Sequence, residues 1–153
     1  MKNEPIKRHT ALQNLSREHH DILVFALRLQ KGIAKKTELK PMQDYCNWFW
    51  ETYLQTHFRL EEENLFVLLN PEHELIQRAK QEHLELISHF EKTFKTEANL
   101  TQLYQLLQKH IRFEERILFN YLQTHTSEDQ LEAFQKSHRK QQFCGHWSRA
   151  FWK

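Results

Sequence analysis

Apolar residues recur at three- and four-residue spacing along four long segments of the chain, which is the period of an amphipathic helix. The first segment runs from Thr10 to about Gly32, and Thr10 is predicted to be its N-cap because Gln13 follows three residues later. The stripe of this helix contains Leu12, Leu15, His19, Ile22, Ala26 and Leu29. Residues 31–40 are polar and are predicted to connect the first helix to the second.

The second helix is predicted to open at Pro41, because a missing N–H costs little in a first turn. Its inner stripe is predicted to contain Tyr45, Phe49, Tyr53, His57, Leu60, Glu61, Asn64, Leu65 and Leu68. The triplet Asn70-Pro71-Glu72 looks like an N-cap, a first-turn proline and a first-turn acid, so it predicts a tight junction with the third helix.

Two further helices and a short fifth one complete the pattern. The third stripe contains Leu75, Ile76, Ala79, His83, Leu86, Ile87 and Phe90, and the fourth contains Leu103, Leu106, Leu107, His110, Phe113, Glu114, Ile117 and Leu118. A break is predicted at residues 96–99, and a capping box that begins at Ser127 predicts a short helix to about Gln142. We therefore predict one all-α domain over residues 1–153: an antiparallel up-down-up-down four-helix bundle (10–124), then a C-terminal helix and an aromatic tail (125–153).

The phrase His-x-x-x-Glu-Glu-x-x-Leu-Phe occurs twice, beginning at His57 and at His110. In each copy the His and the first Glu lie four residues apart and share one helix face. A fainter repeat, Glu-His followed by two aliphatic residues, occurs at Glu18-His19 and at Glu82-His83. A lone His and then a His/Glu pair thus appear twice in order, which predicts two helical hairpins that supply the same three groups.

These polar residues fall on the predicted apolar stripes, where an ionised carboxylate without a partner costs several kcal/mol. A dinuclear metal centre would compensate them, because carboxylates can bridge two cations and each imidazole gives one nitrogen. The predicted metal ligands are His19, His57, Glu61, His83, His110 and Glu114. The alternatives are coincidental surface pairs and a duplicated bundle that has lost its metal.

Other polar residues are assigned to supporting or surface roles. His19 is favoured over His20 as the first ligand, because its helical neighbours are apolar and the repeat aligns it with His83. Glu62 and Glu115 point about 100° away from the preceding Glu, so contact with solvent or support of a ligand suits them. Surface positions are expected for His9, His73, His89, His125, His138 and His146.

The sequence allows two roles for Tyr53 and two for the aromatic tail. Tyr53 lies one turn before His57 and is expected to pack in the core, with a hydrogen bond to the site or electron transfer as the alternative. The aromatic tail, which contains Trp147, Phe151 and Trp152, is expected to dock on the bundle rather than to form a partner surface.

Charge and composition exclude several classes of function. The net charge of +2 and the scattered basic residues do not form a nucleic-acid footprint. No apolar run approaches the ~20 residues of a membrane span, so no membrane association is expected. Cys46 and Cys144 fit no Cys-x-x-Cys pattern, and without a recognisable signal peptide they favour free thiols and a cytoplasmic location.

The doubled phrase and the order of its ligands resemble the hemerythrin-like family, also called HHE cation-binding domains, from Thr10 to Leu122. The resemblance implies an antiparallel four-helix bundle that holds a non-haem di-iron centre, bridged by two carboxylates and an oxo or hydroxo group. It implies that His19, His57, His83 and His110 are terminal ligands and that Glu61 and Glu114 are bridges. Manganese or zinc are chemical alternatives to iron.

The chain departs from the oxygen-carrying members of that family. They place two histidines four residues apart on the third helix, whereas here the residue four positions after His83 is Ile87. The resemblance is therefore closer to members associated with iron–sulfur repair, nitric oxide and redox sensing. A ferritin-like site is disfavoured, because no His in the chain has a Glu three residues before it.

The expected function is a di-iron protein that binds O2, NO or peroxide for sensing, storage or detoxification. A peroxidase or nitric oxide reductase and a metal-free interaction module are the alternatives, and the oligomeric state stays open.

Overall fold

The computed structural model describes residues 7–143, 147 and 150–153, and all the regular secondary structure in this part of the chain is helical. Its α-helices are α1 (Thr10–Ala34), α2 (Leu39–Phe49), α3 (Gln55–Leu60), α4 (Glu74–Phe90), α5 (Glu97–Phe113), α6 (Phe119–His125) and α7 (Glu128–Ser137). Three π-helical turns, Trp50–Leu54, Glu61–Leu65 and Glu114–Leu118, join α2 to α3, extend α3, and join α5 to α6. A short 3₁₀ segment, Phe66–Leu68, ends the second bundle helix.

The apolar core consists of two clusters that every bundle helix crosses. The lower cluster contains Leu12, Leu15, Leu65, Phe66, Ile76, Ala79, Phe113, Leu118, Phe119, Leu122 and Phe134. The upper cluster includes Ile22, Phe25, Tyr45, Phe49, Phe58, Leu86, Phe90, Leu103, Leu107 and Ile111. α1 and α4 run from the lower cluster to the upper one, whereas the second and fourth bundle helices run the other way. The predicted antiparallel four-helix bundle with a short fifth helix is therefore confirmed.

Several helix starts differ from the sequence prediction because histidine side chains act as caps. Thr10 is the first helical residue rather than the N-cap, and His9 caps α1 by accepting from the N–H of Ala11 (3.0 Å). His73 caps α4 in the same way, through the N–H of Leu75 (3.1 Å). Both caps lie ten residues before a predicted ligand, so the chain repeat extends to the helix starts.

Other predicted boundaries are also shifted. α1 continues past Gly32 to Ala34, and the second helix starts at Leu39, two residues before Pro41. Asn70 does not cap α4 but accepts from the N–H of Glu72 within the preceding turn. The break predicted at residues 96–99 is misplaced, because Thr96 caps α5 and residues 97–99 are already helical. The Ser127 capping box is confirmed at the start of α7.

The C-terminal segment packs on the upper cluster, as expected. Phe143, Trp147, Phe151 and Trp152 are partly buried against it. The ring of Trp152 lies under the Arg28 guanidinium, 4.3 Å from its centroid. α7 ends at Ser137, five residues short of the predicted end, and residues 138–141 lie against α1 through the contacts of His138 and Gln141 with Glu18.

Two expectations about the chain as a whole can be compared with this structure. Among the described residues, no helix is long and apolar enough to cross a membrane. Cys46 is buried and makes no disulfide within the described part of the chain, while Cys144 lies outside it.

Candidate metal centre

The six predicted ligands meet between the two apolar clusters, where each is at most 1 % exposed. Their ligand atoms form two groups in which all atoms lie within 4.8 Å of one another. Position 1 is defined by His19, His57, Glu61 and Glu114, and position 2 by Glu61, His83, His110 and Glu114. Each position thus has two imidazoles of its own and shares both carboxylates with the other.

The two carboxylates span the two positions. Oε2 of Glu61 lies 3.3 Å from Nε2 of His57, while its Oε1 lies 3.1 Å from Nε2 of His83. For Glu114, Oε1 lies 3.1 Å from Nε2 of His19 in position 1, and Oε2 lies 3.3 Å from Nε2 of His110 in position 2. Each carboxylate therefore directs one oxygen to each position, as a bridging ligand would.

The polar atoms at the centre fit a metal better than they fit one another. Six of them are fully buried and have no hydrogen-bond partner among the described residues: Nε2 of His57, His83 and His110, Oε1 of Glu61, and both oxygens of Glu114. A buried polar atom without a partner costs about 1–3 kcal/mol, and more when it is charged. Imidazole nitrogen and carboxylate oxygen are also the donors that iron, manganese and zinc accept in proteins.

In each Glu-His element, the Glu accepts a hydrogen bond from a predicted metal ligand on the next bundle helix. Nδ1 of His57 donates to Oε1 of Glu18 (2.7 Å), and Nδ1 of His110 donates to Oε1 of Glu82 (2.7 Å). The Nδ1 protons are thereby engaged, so Nε2 of each ring faces the centre. Such carboxylate–imidazole contacts orient metal ligands and increase their basicity. Sequence reasoning did not assign this role to Glu18 or Glu82, although their place in the repeat was visible.

The second Glu of each repeated phrase holds a lone His. Nδ1 of His83 donates to Oε2 of Glu62 (2.7 Å), and Nδ1 of His19 donates to Oε2 of Glu115 (2.6 Å). These are the contacts that the supporting role considered for Glu62 and Glu115 requires. All four imidazoles have a carboxylate on Nδ1.

Two π-helical turns begin at the two central carboxylates. Glu61 opens the turn Glu61–Leu65 and Glu114 opens the turn Glu114–Leu118. A π turn inserts a residue into the helical register and is frequent at functional sites. As a result Asn64, which was predicted to lie on the inner stripe, is exposed while Leu65 is buried.

The charge balance of the site explains its pKa shifts. Burial alone would lower the pKa of His57 and of His110. The adjacent carboxylates of Glu61 and Glu114 outweigh this effect and raise the pKa to about 9 for His57 and to about 10 for His110. Burial would raise the pKa of Glu61, yet His57 and the other imidazoles hold that pKa well below its usual value. Without a metal, protons on the imidazoles therefore compensate the carboxylates, and a metal would have to displace them.

Aromatic rings cover the imidazoles and exclude water. Phe119 stacks on His19 with 5.1 Å between centroids, and Phe58 stacks on His83 at 4.0 Å. A site closed by such rings has a low local dielectric, which strengthens the attraction between a cation and its carboxylates.

The structure also shows where the remaining polar residues of the sequence prediction lie. His20 is exposed, so His19 is the residue at the centre. Tyr53 is buried in the upper cluster, but its hydroxyl donates to Asp21 Oδ2 (2.7 Å) rather than to a predicted ligand. The prediction that His138 lies on the surface is wrong, because it is buried and its Nε2 donates to Glu18. His146 lies outside the described residues.

Comparison with known proteins gives one match. The family model described as the hemerythrin HHE cation binding domain matches residues 10–122. No curated protein and no solved structure matches the chain at a significant level. The matched range covers all six converging side chains and ends before α7 and the C-terminal segment.

Proposed function

The chain belongs to the hemerythrin HHE cation-binding domain family, and on that premise we propose that it is a non-haem di-iron protein that binds O2, NO or a peroxide for sensing, storage or detoxification. The proposed terminal ligands are His19, His57, His83 and His110, and the proposed bridges are Glu61 and Glu114. A reducing compartment such as the cytoplasm is part of the proposal, supported by the buried thiol of Cys46.

One observation carries the proposal: each central carboxylate presents one oxygen to each pair of imidazoles. The pattern follows from the 3.1–3.4 Å distances between the carboxylate oxygens and the four Nε2 atoms. A mononuclear site would need only one such group, and a purely structural ion-pair network would leave fewer buried atoms without partners.

The residues of the chain supply binding, orientation and exclusion of water. Glu18, Glu62, Glu82 and Glu115 accept from the four Nδ1 atoms, which directs every Nε2 to the centre, where a metal would take the place of its proton. When bound, an iron pair supplies Lewis-acid and one-electron redox chemistry to a small ligand. Four imidazoles and two carboxylates do not fill two six-coordinate shells, so the ligand set leaves room for a small exogenous molecule.

Iron is proposed over zinc because a bridged pair held by six residues, of which Glu61 and Glu114 are shared, suits a higher coordination number than the tetrahedral zinc site. The first test is elemental analysis of protein purified without a chelating tag. About two iron ions per chain are expected from the two positions. Protein that binds no transition metal on reconstitution would overturn the proposal in favour of a bundle that has lost its metal.

The second test addresses the small ligand. The absorption spectrum of the iron-loaded protein is recorded before and after addition of NO or azide. A change that saturates with the iron content is expected. A spectrum that neither probe alters would contradict small-ligand binding while leaving the metal site intact.

Within the part of the chain that the structure describes, no specific contact favours an enzyme over a binding protein. The redox role considered for Tyr53 depended on contact with the site, and its hydroxyl is engaged by Asp21 instead. Turnover of peroxide or NO in excess over the iron content would identify an enzyme, whereas stoichiometric binding supports the proposal above.

A further inference from the structure

The four outer carboxylates are equivalent in the chain repeat but not in their surroundings. Glu18 is almost fully buried, and Glu115 and Glu82 each expose about a quarter of the side chain (27 %). Glu62 is 40 % exposed. The two positions therefore differ in how firmly their ligands are supported, although their donor atoms are the same.

The carboxylates of position 1 are held by several further groups. Glu18 accepts from Nε2 of His138 (2.9 Å) and from the backbone N–H of Gln141 (2.9 Å), in addition to His57. The C-terminal segment thus closes over the site from outside the matched family domain. Glu115 accepts from the hydroxyl of Ser16 (2.9 Å) and lies 3.5 Å from the Arg8 guanidinium.

The carboxylates of position 2 have fewer contacts. Glu82 is paired with Arg78 (3.0 Å) on the same helix, besides its contact with His110. Glu62 has His83 as its described hydrogen-bond partner. Because fewer groups contact Glu62 and Glu82, we expect a smaller free-energy cost when the imidazoles of position 2 move away from the centre.

Open space also lies on the side of position 2. A cleft of about 160 Å³ is lined by the charged residues Arg78, Glu82, Glu85 and Lys109 together with Leu86, Leu106 and His110. Glu85 and Lys109 are exposed, so the cleft leads from the surface to a proposed ligand. A second cleft, of about 260 Å³, is lined by Phe58 and Glu62 among others. The first cleft thus gives a hydrated cation a path to position 2, along which the two acids are matched by Arg78 and Lys109.

We propose that the two positions exchange metal unequally: the C-terminal segment closes position 1 through Glu18, while position 2 fills and empties through the cleft beside Glu82. This inference rests on the proposed function. It makes His138 a positioning residue, because it acts on the metal through Glu18 and His57. The unequal partners of the four outer carboxylates carry the argument.

The test measures metal release from the full chain loaded with ferrous iron under anaerobic conditions. An excess of a coloured ferrous chelator is added, and formation of the chelate is followed with time. We expect two phases of equal amplitude, one for each iron. His138→Ala is expected to accelerate the slow phase by about 10- to 100-fold, the range seen when support of a metal ligand is lost. The fast phase should be unchanged.

Three variants separate positioning from general loosening of the fold. His138→Gln keeps an amide that can donate to Glu18 and is expected to restore part of the slow rate. Gln141→Ala removes a weaker contact to Glu18 (3.4 Å) and serves if His138→Ala fails to fold. His125→Ala is the matched control, since His125 is exposed and contacts Tyr121 rather than the site.

The outcomes distinguish this inference from the function on which it rests. Protein that never holds two irons contradicts both. Two irons that leave in a single phase, or a His138→Ala variant in which both phases accelerate equally, would overturn unequal exchange and leave the di-iron site standing. Selective acceleration of the slow phase, together with rescue by His138→Gln, supports the inference.

Discussion

Oε1 of Glu18 lies 2.7 Å from Nδ1 of His57, and Oε1 of Glu82 lies at the same distance from Nδ1 of His110. In both halves of the chain the Glu next to a lone His supports the imidazole of the following His/Glu pair. In the sequence, the proposed ligands therefore alternate with the acids that orient them. This relationship makes the contribution of each acid separable by substitution.

The bridging carboxylates should be indispensable for holding two metal ions. Glu61→Gln keeps the size of the side chain but removes the charge and one anionic donor, so we expect the metal content to fall from about two ions per chain to one or none. The content is measured by elemental analysis after reconstitution. Glu63→Gln, at an exposed neighbouring position, is the control and should retain the full content.

The supporting carboxylate Glu82 should tune affinity rather than stoichiometry. In Glu82→Gln the amide oxygen can still accept from His110, but the negative charge beside the imidazole is lost. We expect about a 10- to 100-fold weaker affinity for the more weakly bound metal ion. Competition with a chelator of known affinity measures it. Glu85→Gln changes an exposed acid of the same cleft, and a similar loss in that variant would point to electrostatics of the cleft instead.

Metal binding should release protons, and its affinity should rise with pH. The pKa values of His57 and His110 in the metal-free protein are raised to about 9 and about 10, so both rings are protonated at pH 7. Adding Zn²⁺, which has no redox chemistry, to unbuffered protein at pH 7 should therefore lower the pH. Absence of proton release at full zinc occupancy would contradict this charge balance.

The same shifts predict how the metal-free protein responds to pH. A histidine whose pKa is raised on folding contributes stability that is complete below its unfolded value of about 6.5. That contribution declines above this value and is lost as the pH passes through about 9 to 10. Urea unfolding of the metal-free protein should accordingly show a lower free energy of unfolding at pH 10 than at pH 6. The metal-loaded protein should not show the same loss over this range.

The thiol of Cys46 should be unreactive in the folded protein. Burial raises its pKa to about 12, and the nearby charge of Lys95 offsets this only in part. In a Cys144→Ala background, a thiol reagent at pH 8 should modify Cys46 only after denaturation, because the thiolate is the reactive form. Rapid modification of the native protein would show that this part of the upper cluster opens readily.

Gly32 should be required for docking of the tail. A Cβ at this position would lie 2.6 Å from the ring of Phe151, so Gly32→Ala is expected to displace the ring and lower the free energy of unfolding. In a Phe151→Ala background that penalty should shrink or reverse, because alanine is favoured over glycine in a helix by about 0.8–1.0 kcal/mol. A double-mutant cycle by chemical denaturation measures the coupling.

The local signals in the sequence were sufficient for the helices and for the residues at the centre. The 3.6-residue period located the four bundle helices, and the spacing of His57–Glu61 and His110–Glu114 placed each pair on one face. Capping was less accessible, because His9 and His73 act as N-caps although histidine is not among the preferred residues there. A 3.6-residue period does not reveal a π turn, and for that reason Asn64 was assigned to the wrong face of its helix.

The sequence by itself determined that four amphipathic helices would place imidazoles and carboxylates in a shared interior. The apolar period and the His/Glu spacing that predict this each lie within a single helix. Only the tertiary structure decided which acid supports which imidazole, and that His138 closes over Glu18. These contacts join residues 21 to 120 positions apart in the chain. Their partners are set by how the helices and the C-terminal segment pack, and no local period or spacing encodes that packing.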